Sequence, residues 1–238
     1  MNYEKIIFIH IVKTGGTSIV EYCRNRLPDN SVLSHGDFFP IEKTPPLSPD
    51  IIENKQFISG HFGYDYVKDY LAGAYSFTIL RDPLSRVLSF YKFCMHEDMQ
   101  KKFRVARAAR DLSLNGFLVS RLPDVCEIID NQQTWQMASM YWHTNRQNLD
   151  ESAALELAKK HLCTLSYVGF TETFDESFTR IVSDVGLEIP RKVPRQLQTA
   201  DPVLAEQIDP AVLEELRSRL ELDYALYDFA RSGLPPRI

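Results

Sequence analysis

The sequence has no C-x-x-C pair. Its four cysteines, Cys23, Cys94, Cys126 and Cys163, are far apart and lack neighbours suited to a metal. That spacing argues against a zinc site and suits a reduced, intracellular protein, so the expected location is cytoplasmic. No stretch approaches the ~20 apolar residues of a membrane helix, so no stable membrane insertion is expected. The first apolar run, Ile6 to Val12, is too short for a signal peptide and is stopped by Lys13. A large excess of charge of one sign is also missing. The net charge is −5 over 238 residues, which argues against a general nucleic-acid binder. It leaves small anionic ligands open, because a local pocket can be positive on an acidic protein. Repeats and low-complexity tracts are missing. So is the nucleoside-triphosphate signature G-x-x-x-x-G-K-[ST].

What is present is an ordinary globular composition, 44% hydrophobic and 25% charged. A chain of this length can bury a core without disulfides or metals. Lys5 to Val12 is β-branched and apolar almost throughout, as a central strand covered on both faces would be. A helix is expected from Thr17 to about Leu27. Residues 28 to 55, with three prolines in EKTPPLSPD, read as loop. KQFISGH reads as a short strand ending at Gly60, and AYSFTIL (Ala74 to Leu80) as a buried one. RDPLSRVLSFYKF follows as a helix, with Asp82 at the N-cap and Pro83 at the first helical position.

From Glu97 to about Trp142 the pattern is helical and polar. ESAALELAKKHL is an amphipathic helix, SYVGFTE a late strand, and FDESFTRIVSDVG a helix closed by Gly186. Residues 189 to 202 read as loop, and PAVLEELRSRLELDYALYDFA as closing helices. Strands thus alternate with helices. The fold class expected is α/β, with a mainly parallel central sheet flanked by helices. Residues 1–238 are expected to form one domain with helical insertions in its second half.

The chemistry concentrates after the first strand, in K-T-G-G-T-S. A helix starting there leaves its first amides unpaired, and Gly15 and Gly16 permit a tight turn and close approach. With hydroxyls from Thr14, Thr17 and Ser18 and the charge of Lys13, the segment can cradle an anion. An ordinary β-to-α turn would share the glycines but not the full string. The strand at Leu80 ends in Arg81 where an ATPase would place a metal-binding acid. A cation there points to a second phosphate, with no metal. Ser89 lies two turns into the following helix, where it and Arg81 can close on one anion.

These two stretches, FIHIVKTGGTS and TILRDPLSRVLSFY, resemble the two cofactor signatures of the sulfotransferase superfamily. The similarity is to the branch with the carbohydrate 2-O-sulfotransferases and many small bacterial relatives. ISGHFGYD, DNQQTWQMAS, YVGFTETFDES and ELDYALYDFA match weaker landmarks in order. The resemblance implies a P-loop-NTPase-like sulfotransferase fold using 3′-phosphoadenosine 5′-phosphosulfate (PAPS) without a metal. The product is adenosine 3′,5′-bisphosphate (PAP). It implies that Lys13, Thr14, Gly15, Gly16, Thr17 and Ser18 hold the phosphosulfate and that Arg81 and Ser89 hold the 3′-phosphate. The family usually has proline at Val12, and arginine and glycine at Trp135 and Ser139; the last two differences bear on the acceptor side.

Lys13 is placed to neutralise the leaving phosphate. The candidate general base is His61, at the C-terminal end of its strand, where such sheets bind ligands. The resemblance puts a catalytic histidine in the same stretch; capping of the strand end is the plainer role. His35 is the second choice. His10 reads as a core residue, and His96, His143 and His161 as surface or packing residues. Asn131, Gln132, Gln133 and Thr134 can position an acceptor or cap a helix. Trp135 and Trp142 read as core. Lys101, Lys102, Arg104, Arg107 and Arg110 can meet an anionic acceptor or form a solvated helix face. Arg191, Lys192 and Arg195 are candidates for a late loop over the 3′-phosphate. The expected partner is a small-molecule or carbohydrate hydroxyl. An ATP-dependent small-molecule kinase and a non-catalytic nucleotide-binding protein are the rival functions.

Overall fold

The computed structural model describes residues 3–34, 37, 52–139, 149–194 and 205–234. Its centre is a five-stranded sheet in the order β2-β3-β1-β4-β5. The strands are β1 (Ile6–Ile9), β2 (Val32–Leu33), β3 (Phe57–Gly60), β4 (Tyr75–Leu80) and β5 (Tyr167–Phe170). Every pairing is parallel, and Ile6 of β1 sits opposite Phe57 of β3 and Tyr75 of β4. β1 is therefore central. Its four residues are wholly buried, as its β-branched run requires.

Side chains alternate across the sheet, so β1 feeds two cores. Ile6 and Phe8 pack with Phe57, Phe77 and Ile79 beneath α1 (Gly16–Arg24) and α10 (Phe174–Asp184). Ile7 and Ile9 pack with Ile58 and Leu80 on the opposite face. That face is covered by α2 (Tyr64–Val67), α8 (Gln132–Ala138), α9 (Glu151–Thr164) and α12 (Glu221–Arg231). A third core lies among the helices that follow β4. These are α3 (Pro83–Cys94), α4 (Glu97–Lys102), α5 (Arg104–Asp111), α6 (Leu114–Leu118) and α7 (Pro123–Ile129), closed by α11 (Pro210–Arg219).

Local signals behave as read at several joints. The Asp82 carboxylate caps α3 by accepting the Ser85 amide at 2.8 Å, with Pro83 at the first position. Gly186, at φ +74°, ends α10. Other boundaries move. α1 begins at Gly16 and ends at Arg24, where the last turn tightens and the Arg26 amide bonds the Cys23 carbonyl three residues back. The segment read as loop contains a 3-10 turn (Asp29–Ser31) and β2, whose two residues are too few to leave a periodic trace. The stretch read as polar helix contains α8, which is buried from end to end.

Candidate active site

A parallel sheet delivers the C-terminal ends of its strands to one edge. Here β3, β1, β4 and β5 deliver His61, the 13–16 loop, Arg81 and Thr171 side by side. Chain order changes direction around β1, the place where α/β sheets open a ligand crevice.

The loop is held in an uncommon conformation. Lys13 has φ +69°, a left-handed value rare for a residue with a side chain, and Gly15 has φ +85°. The Thr14 hydroxyl donates to the Ile11 carbonyl at 2.9 Å, and the Thr14 carbonyl accepts the Thr171 hydroxyl at 3.1 Å. Thr14 is thus spent on the loop's own shape. Gly16 answers a packing demand: a Cβ there would lie 2.3 Å from His10 Nε2 and 2.7 Å from the Phe8 ring. His10 is buried and stacks on Phe8, which stacks on Phe77, so the first turn of α1 rests on a column of rings. The Ser18 amide is engaged with the Gly15 carbonyl at 3.2 Å and its side chain is buried. Helix geometry then leaves the Gly16 and Thr17 amides aimed past the helix start, beside the exposed Thr17 side chain. No acidic side chain stands in that first turn.

Arg81 joins the second signature to the first. Its guanidinium donates to the Lys13 carbonyl at 3.0 Å. Its backbone is held by Gln133, which accepts the Arg81 amide at 3.1 Å and donates to the Arg81 carbonyl at 2.9 Å. The Lys13 ammonium stands 4.4 Å from the centre of the Phe93 ring. Burial, and then the positive charge of Arg81, lower the Lys13 pKa to about 8. Burial also lowers that of Arg81, against the pull of Glu172 and Asp82. The two cations therefore share a partly desolvated place. Ser89 is buried on α3, four residues before Phe93, so the helical repeat sets it on the face that Phe93 turns towards Lys13.

His61 is half-buried, its ring 4.6 Å from that of His10. Its Nδ1 lies 2.7 Å from the His10 carbonyl, which only accepts. Nδ1 therefore carries a proton, and in the neutral ring the lone pair stands on Nε2. The Gln136 amide donates to the same carbonyl at 3.2 Å and to the Phe62 carbonyl at 2.8 Å.

Asn131 and Thr134 take capping positions. Asn131 Oδ1 accepts the Leu222 and Asp223 amides at the start of α12. Asp223 in turn accepts the Gln133 and Thr134 amides and the Thr134 hydroxyl at the start of α8. Trp135 is buried in the core. The basic stretch is exposed, but Lys101, Arg104 and Arg110 pair with Asp98, Asp124 and Asp111. Arg191 and Lys192 are exposed on their loop. His96 is exposed, and His161 packs flat on Tyr64 with its Nδ1 on the Met137 carbonyl. His35, Trp142, His143 and Arg195 lie outside the described residues. Sequence reasoning did not single out Gln136, Thr171 or Glu172, each of which bonds to backbone distant in the chain; nothing local marks those contacts.

The sulfotransferase family model matches residues 2–230. No curated protein sequence matches the chain significantly. Among solved structures, the mouse sulfotransferase SULT7A1 in complex with PAP is 13% identical, over 97% of this chain and 89% of that one, at a TM-score of 0.45. A sulfotransferase from Alicyclobacillus acidocaldarius is 15% identical, over 94% of this chain and 96% of that one, at 0.46. At these scores the superpositions are loose. The family model spans almost the whole length, through both stretches that meet at Lys13 and Arg81, and the chain belongs to the sulfotransferase family.

Proposed function

We propose that the protein moves a sulfuryl group from PAPS to an acceptor hydroxyl, on a carbohydrate or a small-molecule alcohol. The observation that carries this reading is the reach of Arg81 to the Lys13 carbonyl, which makes the two signatures one cationic pocket. The pocket suits a ligand with anions at two ends: amides at one helix start, and a guanidinium and hydroxyl on the next element. When bound, PAPS supplies an activated sulfuryl group on a phosphate leaving group.

In this reading Lys13 and the Gly15–Thr17 amides hold the phosphosulfate end, with Ser18 beneath them. Arg81 and Ser89 hold the 3′-phosphate. Thr14 keeps the loop's shape. His61 accepts the acceptor's proton at Nε2, with its ring oriented through Nδ1. All four cysteines are thiols, not disulfides, and Cys94 lies buried beside Lys13, which supports a reducing, cytoplasmic setting.

The test is calorimetry in EDTA, with PAP against adenosine 5′-monophosphate (AMP), which lacks the 3′-phosphate. PAP binds at least about tenfold more tightly, and Arg81→Met removes most of that preference, as charge-assisted bonds to one phosphate require. Equal affinities, or binding of ATP only with magnesium, reject the reading and favour a kinase. His61→Ala lowers turnover by about 10² or more while PAP affinity holds. Turnover within a few-fold of normal removes His61 from the role of base.

A further inference from the structure

The glutamines of α8 reach both halves of the site. Gln132, Gln133 and Gln136 are all buried, an unusual density of amides for one short helix. Gln133 meets the Arg81 backbone with both ends of its side chain, so its orientation is determined by its partners. Gln136 turns its nitrogen to the His10 and Phe62 carbonyls, while its oxygen accepts from Gln132 at 2.7 Å. The Phe62 carbonyl lies one residue beyond His61, and the His10 carbonyl is the one that receives His61 Nδ1. One side chain therefore grips the mounting of Arg81. Another, about one turn later, grips the carbonyl that orients His61 and the carbonyl of the residue after it. The helix start is itself anchored, through the Asp223 carboxylate on the Gln133 and Thr134 amides.

We propose that Gln133 and Gln136 are positioning residues: Gln133 sets the Arg81 guanidinium for the ribose phosphate, and Gln136 holds the carbonyl that determines the His61 tautomer. The inference rests on the function proposed above. It adds that one rigid helix sets the spacing between the base and the nucleotide's far phosphate. A residue held at both its N–H and its C=O has the peptide planes on either side of its Cα fixed, so the side chain it carries starts from a constant origin. A ring held at Nδ1 by a carbonyl that is itself held does not exchange tautomers freely.

The experiment uses full-length protein and two readouts that do not depend on the acceptor. Calorimetry gives the ratio of PAP to AMP affinity. Long-range proton–nitrogen spectra of ¹⁵N-histidine protein report which His61 nitrogen carries the proton. Gln133→Met, close in size but without the amide, lowers the PAP-to-AMP ratio about tenfold. It leaves AMP affinity and the His61 signature in place. Gln136→Met leaves the ratio in place and brings in the Nε2–H form of His61. Gln133→Glu keeps one of the two bonds to Arg81 and falls between. It also serves, with Gln136→Glu, should the methionine variants not fold. Readouts that move together in both variants, or not at all in either, overturn the inference. If Gln133→Met keeps the full preference for PAP, the inference fails alone. If the unaltered protein does not prefer PAP to AMP, the proposed function fails first, and the Gln133 half falls with it.

Discussion

Lys13→Met should make the empty protein more stable and the ligand-binding protein worse. The Lys13 ammonium is lowered from 10.5 to about 8 by burial and by Arg81. A group whose folded pKa lies below its unfolded one holds fewer protons folded than unfolded between the two values. Its charged form therefore costs stability below about pH 8, and stability is regained as pH rises from there towards 10.5. At about 1.4 kcal/mol for each tenfold in proton affinity, the full cost is about 3 kcal/mol. Lys13 keeps some contact with solvent, so screening reduces this to about 1–2 kcal/mol. For a chain of this size that is about 2–8 °C in Tm.

The assay is thermal melting of both proteins, without ligand, from pH 6.5 to 10. At pH 7 Lys13→Met melts higher by that amount, and the gap closes as pH rises past 8. Ligand binding runs the other way. An anion prefers the protonated amine, so PAP affinity of the unaltered protein is full below about pH 8 and falls above it. Binding near pH 9 takes up a proton, visible as a dependence of the calorimetric heat on the buffer. Lys13→Met shows neither effect. A variant that melts lower at pH 7, or a gap that does not change with pH, refutes the reasoning that Lys13 is a desolvated cation held for an anion.

Two further substitutions probe the scaffold. Gly16→Ala drives a Cβ to 2.3 Å from His10 Nε2 and should cost about 3 kcal/mol, with PAP binding lost as the helix start is pushed out. Gly73→Ala, at φ +76° where an added Cβ meets no atom of the other described residues beyond its chain neighbours within 4 Å, isolates backbone strain and should cost about 1 kcal/mol with binding intact. Urea melts of both, showing equal losses, would remove the packing explanation. Asp223→Ala strands three donors, the Gln133 and Thr134 amides and the Thr134 hydroxyl, in a fully buried place. It should cost about 3–5 kcal/mol and lower Tm by roughly 10 °C. A loss under about 1 kcal/mol would mean that water reaches those donors.

The sequence by itself determined the signals that are local. A β-branched run before a glycine turn made β1 and α1. Asp82 and Pro83 made the start of α3, because a cap needs only residues three apart. The order of lysine before glycine, and an arginine just after β4, marked the two stretches proposed to bind anions, and the family model covers both. Only the tertiary structure decided how those stretches meet. Arg81 is 68 residues from Lys13, and their contact depends on β1 and β4 being parallel neighbours. The reason for Gly16 is the His10 ring beneath it, which no turn rule contains. A glutamine-rich segment reads as part of a polar helical stretch until its amides are seen to bond to backbone just after β4 and just after β1. Polarity along a chain tells where water is tolerated; only the fold shows whether another part of the chain has taken water's place.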